Sequence, residues 1–126
     1  MKRTCHCYVV SYVPDLSRVT RVAIGVILLA SGVGAKTFRQ SYFRRNWTEV
    51  TKVQPCADVQ MLSALGNYVS RNIAGDGYQD FVKSLSESMG NNAQLEGPIK
   101  LHESADLSLL KKLCREHLGE DAALAP

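Results

Sequence analysis

Several signatures of chemistry are missing from this chain. It has no G-x-S-x-G turn to present a nucleophilic serine, no H-E-x-x-H pair to hold zinc, and no glycine-rich loop of the kind that cradles phosphates. It also lacks internal repeats, low-complexity tracts and Gly/Ser linkers, so nothing marks a second folding unit in its body. Net charge is absent from most of its length: residues 36–126 carry eleven basic and eleven acidic side chains. Neutrality removes the phosphate attraction on which nucleic-acid binding depends, and no nucleic-acid partner is expected.

Metal ligands are few and badly spaced. Structural zinc wants ligands in tight pairs, and the body offers one, Cys114 and His117, three apart on a helix, with His102 or Cys56 as a further donor. Cys5-His6-Cys7 has a more metal-like look, but it lies in a segment expected to be removed. Gly75-Asp76-Gly77 followed by Asp80 has the glycine and acid of a calcium turn. Setting Gly77 at the obligatory glycine puts Ala74 at the third ligand position and Lys83 where the bidentate glutamate belongs, which excludes that site. No metal and no cofactor are assigned. Cys114 with His102 or His117, and Glu103 as an acid, leaves a small thiol- or metal-dependent enzyme as a third reading of function.

What the chain does have is an uncharged run, Val22 to Ala35, flanked by Arg18 and Arg21 before it and Lys36 after it. Its fourteen residues would rise only about 21 Å as a helix, short of the roughly 30 Å hydrocarbon core of a bilayer. That length suits the apolar stretch of a secretory signal peptide. Val33 and Ala35 supply the small residues a signal peptidase requires, placing a cut between Ala35 and Lys36. The alternatives are a membrane helix that is never cleaved and a buried core helix. The flank from Met1 to Arg21 is long for the basic region that opens a signal peptide, and its Cys5 to Val10 stretch is oddly apolar, which a true start near Val19 would explain.

Next comes a basic, aromatic neck at residues 36–52, net +4, in which Phe38, Tyr42, Phe43 and Trp47 are interleaved with Arg39, Arg44 and Arg45. Amphipathic rings and long cations suit a membrane interface or a protein surface, so Arg39, Tyr42, Phe43, Arg44, Arg45 and Trp47 are the candidate contact residues. The plainer expectation is a first helix with Phe43, Trp47 and Val50 facing a core. Asn46-Trp47-Thr48 is a glycosylation acceptor triplet of the kind that also arises by chance.

From residue 53 onward the chain is net −4 and reads as helical. Leu62, Leu65, Val69 and Ile73 make one stripe between Pro55 and Gly75. A second helix opens at Asp76, with Gln79 at capping-box spacing, and carries Tyr78, Phe81, Val82, Leu85 and Met89 to a stop at Gly90. The third, capped by Ser104 and ended by Gly119, lines up Leu107, Leu110, Leu113, Cys114 and Leu118. Residues 91–103 read as a connection.

The expected fold is therefore all-α: a leader or membrane helix at 1–35, the neck at 36–52, and a bundle of three to four helices at 53–126. Export to the periplasm or cell exterior would make Cys56 and Cys114 a disulfide, closing a loop worth about 4 kcal/mol. The expected function is binding of another protein through an apolar helix face and complementary charge, with a membrane surface as a possible second contact. The alternative is a single-pass accessory subunit of a membrane complex, with residues 22–47 as one continuous helix.

Overall fold

The computed structural model describes residues 5–12, 22–30, 38–45, 47–53, 55, 59–73, 77, 80–84, 93–103 and 105–119. They form a mixed α/β fold. Four strands, β1 (Cys5–Tyr12), β2 (Val22–Ala30), β3 (Phe38–Phe43) and β4 (Ala93–Leu101), make one antiparallel sheet in the order β3-β2-β1-β4. Helices α1 (Thr48–Val53), α2 (Val59–Ile73) and α3 (helical at 80–84) follow β3, and α4 (Leu107–Leu118) follows β4. The all-α expectation is thereby corrected.

Of the apolar run that suggested a leader or membrane helix, residues 22–30 form the inner strand β2, and residues 31–35 lie outside the described residues. The strand is apolar on every side because the sheet is covered on both faces, so β2 has no solvent side to mark with polar residues. A continuous apolar run carries no period and cannot distinguish a doubly buried strand from a helix. No helix among the described residues is long and apolar enough to cross a membrane. Within the span 22–47 expected to be one continuous helix, residues 22–30 and 38–43 are the strands β2 and β3.

Strand alternation sorts the core into two clusters. On one face Cys5, Cys7 and Val9 of β1, Val26, Leu28 and Ala30 of β2 and Tyr42 of β3 meet Leu109, Leu110, Leu113, Cys114 and Leu118 of α4. On the other, Val10 and Tyr12 of β1 and Ile24, Ile27 and Leu29 of β2 meet Val50, Leu62, Val69, Ile73 and Val82 of α1 to α3. A bulge makes this possible. Val10 opposes Gly25 and Ser11 opposes Ala23, so Ile24 is an extra residue in β2 that reverses the alternation at mid-strand. The odd apolarity of Cys5 to Val10 follows equally: β1 is the other inner strand, paired to β2 and β4.

Residues 91–103, expected to be a connection, contain β4. Gly97 and Pro98 disguised it, since glycine and proline usually interrupt strands. Here they form a second bulge opposite Tyr8, with Gly97 at φ 126°, where a Cβ would meet the Cys7 carbonyl oxygen at 2.9 Å. Edge strands tolerate such irregularity, and a proline, a bulge and Lys100 discourage pairing with another chain.

Two of the expected helices are present. The stripe on α2 buries Leu62, Val69 and Ile73 with Leu65 half-buried, and the stripe on α4 buries Leu110, Leu113, Cys114 and Leu118. The cap of α4 is Asp106, which accepts the Leu109 N–H at 2.7 Å, rather than Ser104. Gly119 closes it at φ 69°. Phe81 and Val82 of α3 face the core as expected; Asp76, Tyr78, Gln79, Leu85, Met89 and Gly90 lie outside the described residues.

Candidate functional site

The β3 sequence FRQSYF alternates, placing Phe38 and Tyr42 toward α4 and Ser41 and Phe43 toward α2. Phe43 fixes how closely α2 approaches the sheet. Its ring sits between Gly25 of β2 and Gly66 of α2, and a Cβ would come within 2.7 Å of that ring at Gly25 and 2.9 Å at Gly66. Glycine inside a helix costs about 1 kcal/mol relative to alanine, and here the missing side chain makes room for an aromatic one. A second tie is made where the Ser41 and Ser70 hydroxyls hydrogen-bond at 2.9 Å.

Beyond Phe43 the strand runs out beside α2 and leaves an open groove of about 620 Å³, lined by Ser41, Tyr42, Phe43, Arg44, Arg45, Trp47, Ser63, Gly66, Asn67 and Ser70. Five of the six residues nominated from the sequence line it. Their roles differ. Arg44 is buried, its Nε donating to the Ala23 carbonyl at 2.9 Å and its Nη2 to the Leu118 carbonyl at 3.0 Å. It joins β2 to the last turn of α4, where orphan carbonyls and the negative end of the helix dipole favour a cation. Arg45, one residue on, is exposed. Tyr42 is buried in the α4-side cluster, while Trp47 is half-buried against the α2-side cluster. Phe43, Trp47 and Val50 do face the core, but from a strand end, a loop and α1 rather than from one helix. Arg39 is partly exposed on β3 and stands outside the groove lining. Asn46 of the acceptor triplet lies outside the described residues.

Sequence reasoning missed Ser41, Ser63, Gly66, Asn67 and Ser70. The signal was available in α2: positions 63, 67 and 70 are a small polar stripe at helical spacing, with a mid-helix glycine beside it. That combination marks close approach of another element.

The thiols take no part in the groove. Cys5, Cys7 and Cys114 are all buried in the α4-side cluster, and Cys114 is a thiol rather than half of a disulfide, which corrects the expected bridge. Cys56 lies outside the described residues. The α4 stripe explains the outcome, since Cys114 fills a place between Leu110, Leu113 and Leu118. Burial pushes the Cys7 thiol up to about 11, with Cys5 and Glu116 adding to the shift. Burial raises Cys5 as well, followed by Glu103 and Asp106. Such thiols are the reverse of activated nucleophiles.

The imidazoles are elsewhere: His102 and His117 are exposed, as is His6, which strand alternation turns away from Cys5 and Cys7. Among the described residues no group of three or more His, Cys, Asp or Glu is placed to hold a metal. Comparison with protein-family models, with curated proteins and with solved structures finds no match for the chain.

Proposed function

We propose that this protein is a binding domain that docks another protein in the groove between β3 and α2. The observation that carries the reading is the make-up of the groove lining. Phe43 and Trp47 offer aromatic surface, Arg45 offers charge, and Ser41, Ser63, Asn67 and Ser70 offer short hydrogen-bonding groups on rigid elements. Aromatic residues and arginine are enriched at protein interfaces, and small polar side chains beside them supply adaptable hydrogen bonds. Among the described residues of the lining there is no thiol, imidazole or carboxylate. Such a lining suits recognition by surface contact. The contact surface is thus a strand end and a helix, in place of the bare helix face expected from the sequence.

A photo-crosslinking residue at position 67, in cells that naturally make the chain, provides the test, with the same residue at position 111 on the exposed side of α4 as reference. The expected result is a discrete protein adduct at 67 that is absent at 111 and lost when Trp47→Ala is added. Adducts at 111 alone, or at neither position, would overturn the reading.

A further inference from the structure

We infer that the partner is held in this groove by strand addition: an extended segment of it pairs antiparallel with the outer edge of β3, beside α2, and is recognised by its backbone and one apolar side chain. The inference rests on the protein-binding reading above. Its first ground is where the backbone of β3 points. The Arg44 N–H donates to the Ile24 carbonyl at 2.9 Å, in phase with the register that sets Phe43 opposite Gly25. Bonded and non-bonded pairs alternate along an antiparallel ladder. Gln40 and Tyr42 therefore turn their N–H and C=O groups toward β2, while Ser41 and Phe43 turn theirs away from it. Among the described residues no strand lies beyond β3. Ser41 and Phe43 both line the groove, so one of its walls presents N–H donors and carbonyl acceptors at strand spacing.

The two edges of the sheet supply the second ground. β4 carries a bulge and Pro98, which hinder pairing with another chain. β3 runs in unbroken register with β2 from Phe38 to Phe43, without proline, glycine or bulge.

Space decides between occupants. The groove measures about 620 Å³, and its other wall is α2 from Ser63 to Ser70. Those seven steps of helix are about 10 Å long, the length of roughly three residues of extended chain. The Tyr42 ring belongs to the α4-side cluster, yet Tyr42 lines the groove, which puts the main chain itself in the wall. A second copy of this chain could offer its β3 only with α2 already seated on it, since the Phe43 ring is held between Gly25 and Gly66 and the Ser41 hydroxyl is bonded to Ser70. A strand so covered does not fit between β3 and α2. An uncovered segment of a different protein does. Every second side chain of that segment faces α2, where Ser63, Asn67 and Ser70 leave room and Phe43 and Trp47 receive an apolar group.

The test is selection on the full chain from a library of capped, uncharged octapeptides with alternating apolar and polar positions. Each amide of the best binder is then N-methylated in turn, which removes one N–H donor. Trp47 is the only tryptophan, so its emission follows binding. The expected result is an affinity loss of at least about tenfold at every second residue of the paired stretch and of less than about twofold at those between. Amide exchange at Ser41 and Phe43 should slow when the peptide binds. Proline lacks the N–H and is accepted in an edge strand where that group faces outward. Ser41→Pro should therefore lose affinity by at least about tenfold with its circular dichroism unchanged, whereas Ser41→Ala, which lacks only the hydroxyl, should bind like the parent. If Ser41→Pro does not fold, the methylation series decides alone. No selected binder, losses without a period of two, or unchanged exchange at Ser41 and Phe43 would each overturn the inference. So would a dimer in sedimentation that protects those two amides without peptide.

The protein crosslinked at position 67 separates this failure from failure of the broader reading. If its trapped segment, made as a peptide, shows no alternation in the methylation series, strand addition is wrong and protein binding stands. A trapped second copy of this chain has the same meaning. If no protein is trapped, the broader reading falls too.

Discussion

Strands β2 and β3 lie side by side and are opposites. The first is buried along its length from Ile24 to Ala30, between two layers of helix, and its sequence is all hydrocarbon and glycine. Its neighbour is an edge strand in which arginine, serine and glutamine alternate with rings, and its end opens into the groove. The more conspicuous segment in the sequence serves only the core, while the less regular one carries the candidate site. A hydrophobic run of this length draws attention because it resembles an address. Between two helical layers, the same composition is simply what an inner strand requires.

The largest test of this contrast is removal of residues 1–35, the cut that a leader would undergo. It deletes β1 and β2, both inner strands, so the remaining fragment should lack a cooperative unfolding transition by circular dichroism. A chain starting at Val19 would lose β1 and should fare little better. Cooperative unfolding of the fragment that starts at residue 36 would mean that β2 is not the centre of the fold, and cooperative unfolding of the one that starts at Val19 would mean that β1 is dispensable.

Adjacent arginines offer the next comparison. Arg44→Met strands two carbonyl acceptors, a partly buried one at Ala23 and a buried one at Leu118, and should cost about 3 kcal/mol in denaturant unfolding, the upper range for hydrogen bonds to a charged group.

A comparable loss is expected from pH. Because Cys7 is held up to about 11 in the folded protein against an ordinary value of 9.0, the unfolded chain loses its proton first as pH rises. Stability should be unaffected below about pH 9 and fall between about 9 and 11, by on the order of 2–3 kcal/mol in all. In Cys7→Ala this part of the pH dependence should vanish, and a slope unchanged by the substitution would remove Cys7 as its source.

A smaller loss, about 1–2 kcal/mol, is expected for Gly25→Ala, which forces a methyl against the Phe43 ring. Adding Phe43→Leu should recover part of it, since residues in contact are energetically coupled. Strictly additive costs would show that the ring is not seated on Gly25. Arg45→Met belongs at the end of the scale, changing stability by less than about 0.5 kcal/mol because the side chain is exposed. A loss there as large as that of Arg44 would erase the distinction between the inward and outward arginine.

Helices α2 and α4 were legible because each is amphipathic at a period of 3.6, with aliphatic side chains on one side and polar groups, uncharged for the most part in α2 and charged in α4, on the other. Strands β1 and β2 were not, because burial on both faces erases the period of two that reveals a strand. In β2 a bulge at Ile24 also breaks the phase of what alternation remains. For β4 the obstacle was Gly97-Pro98, a pair that ordinarily ends structure and here sits in a bulge. The candidate site was half legible. Its aromatic and cationic half is a contiguous cluster, whereas Ser63, Asn67 and Ser70 come from a distant helix brought alongside by the fold. That Arg44 turns inward while Arg45 turns out depends on the Leu118 carbonyl arriving 74 residues later.

The extra residue at Ile24 makes β2 unusually sensitive to counting. Beyond it, Val26, Leu28 and Ala30 serve one helical layer while Ile27 and Leu29 serve the other. Loss of a single residue there would exchange the two sets. In a strand with one wet face such an exchange would bury polar groups and be rejected outright. Here every exchanged residue is still apolar, so the chain would collapse as before. What would fail is shape: Ala30 and Leu28 would be offered to spaces cut for Leu29 and Ile27. For this protein, hydrophobicity specifies that the chain becomes compact, and the position of one residue specifies which compact form it takes.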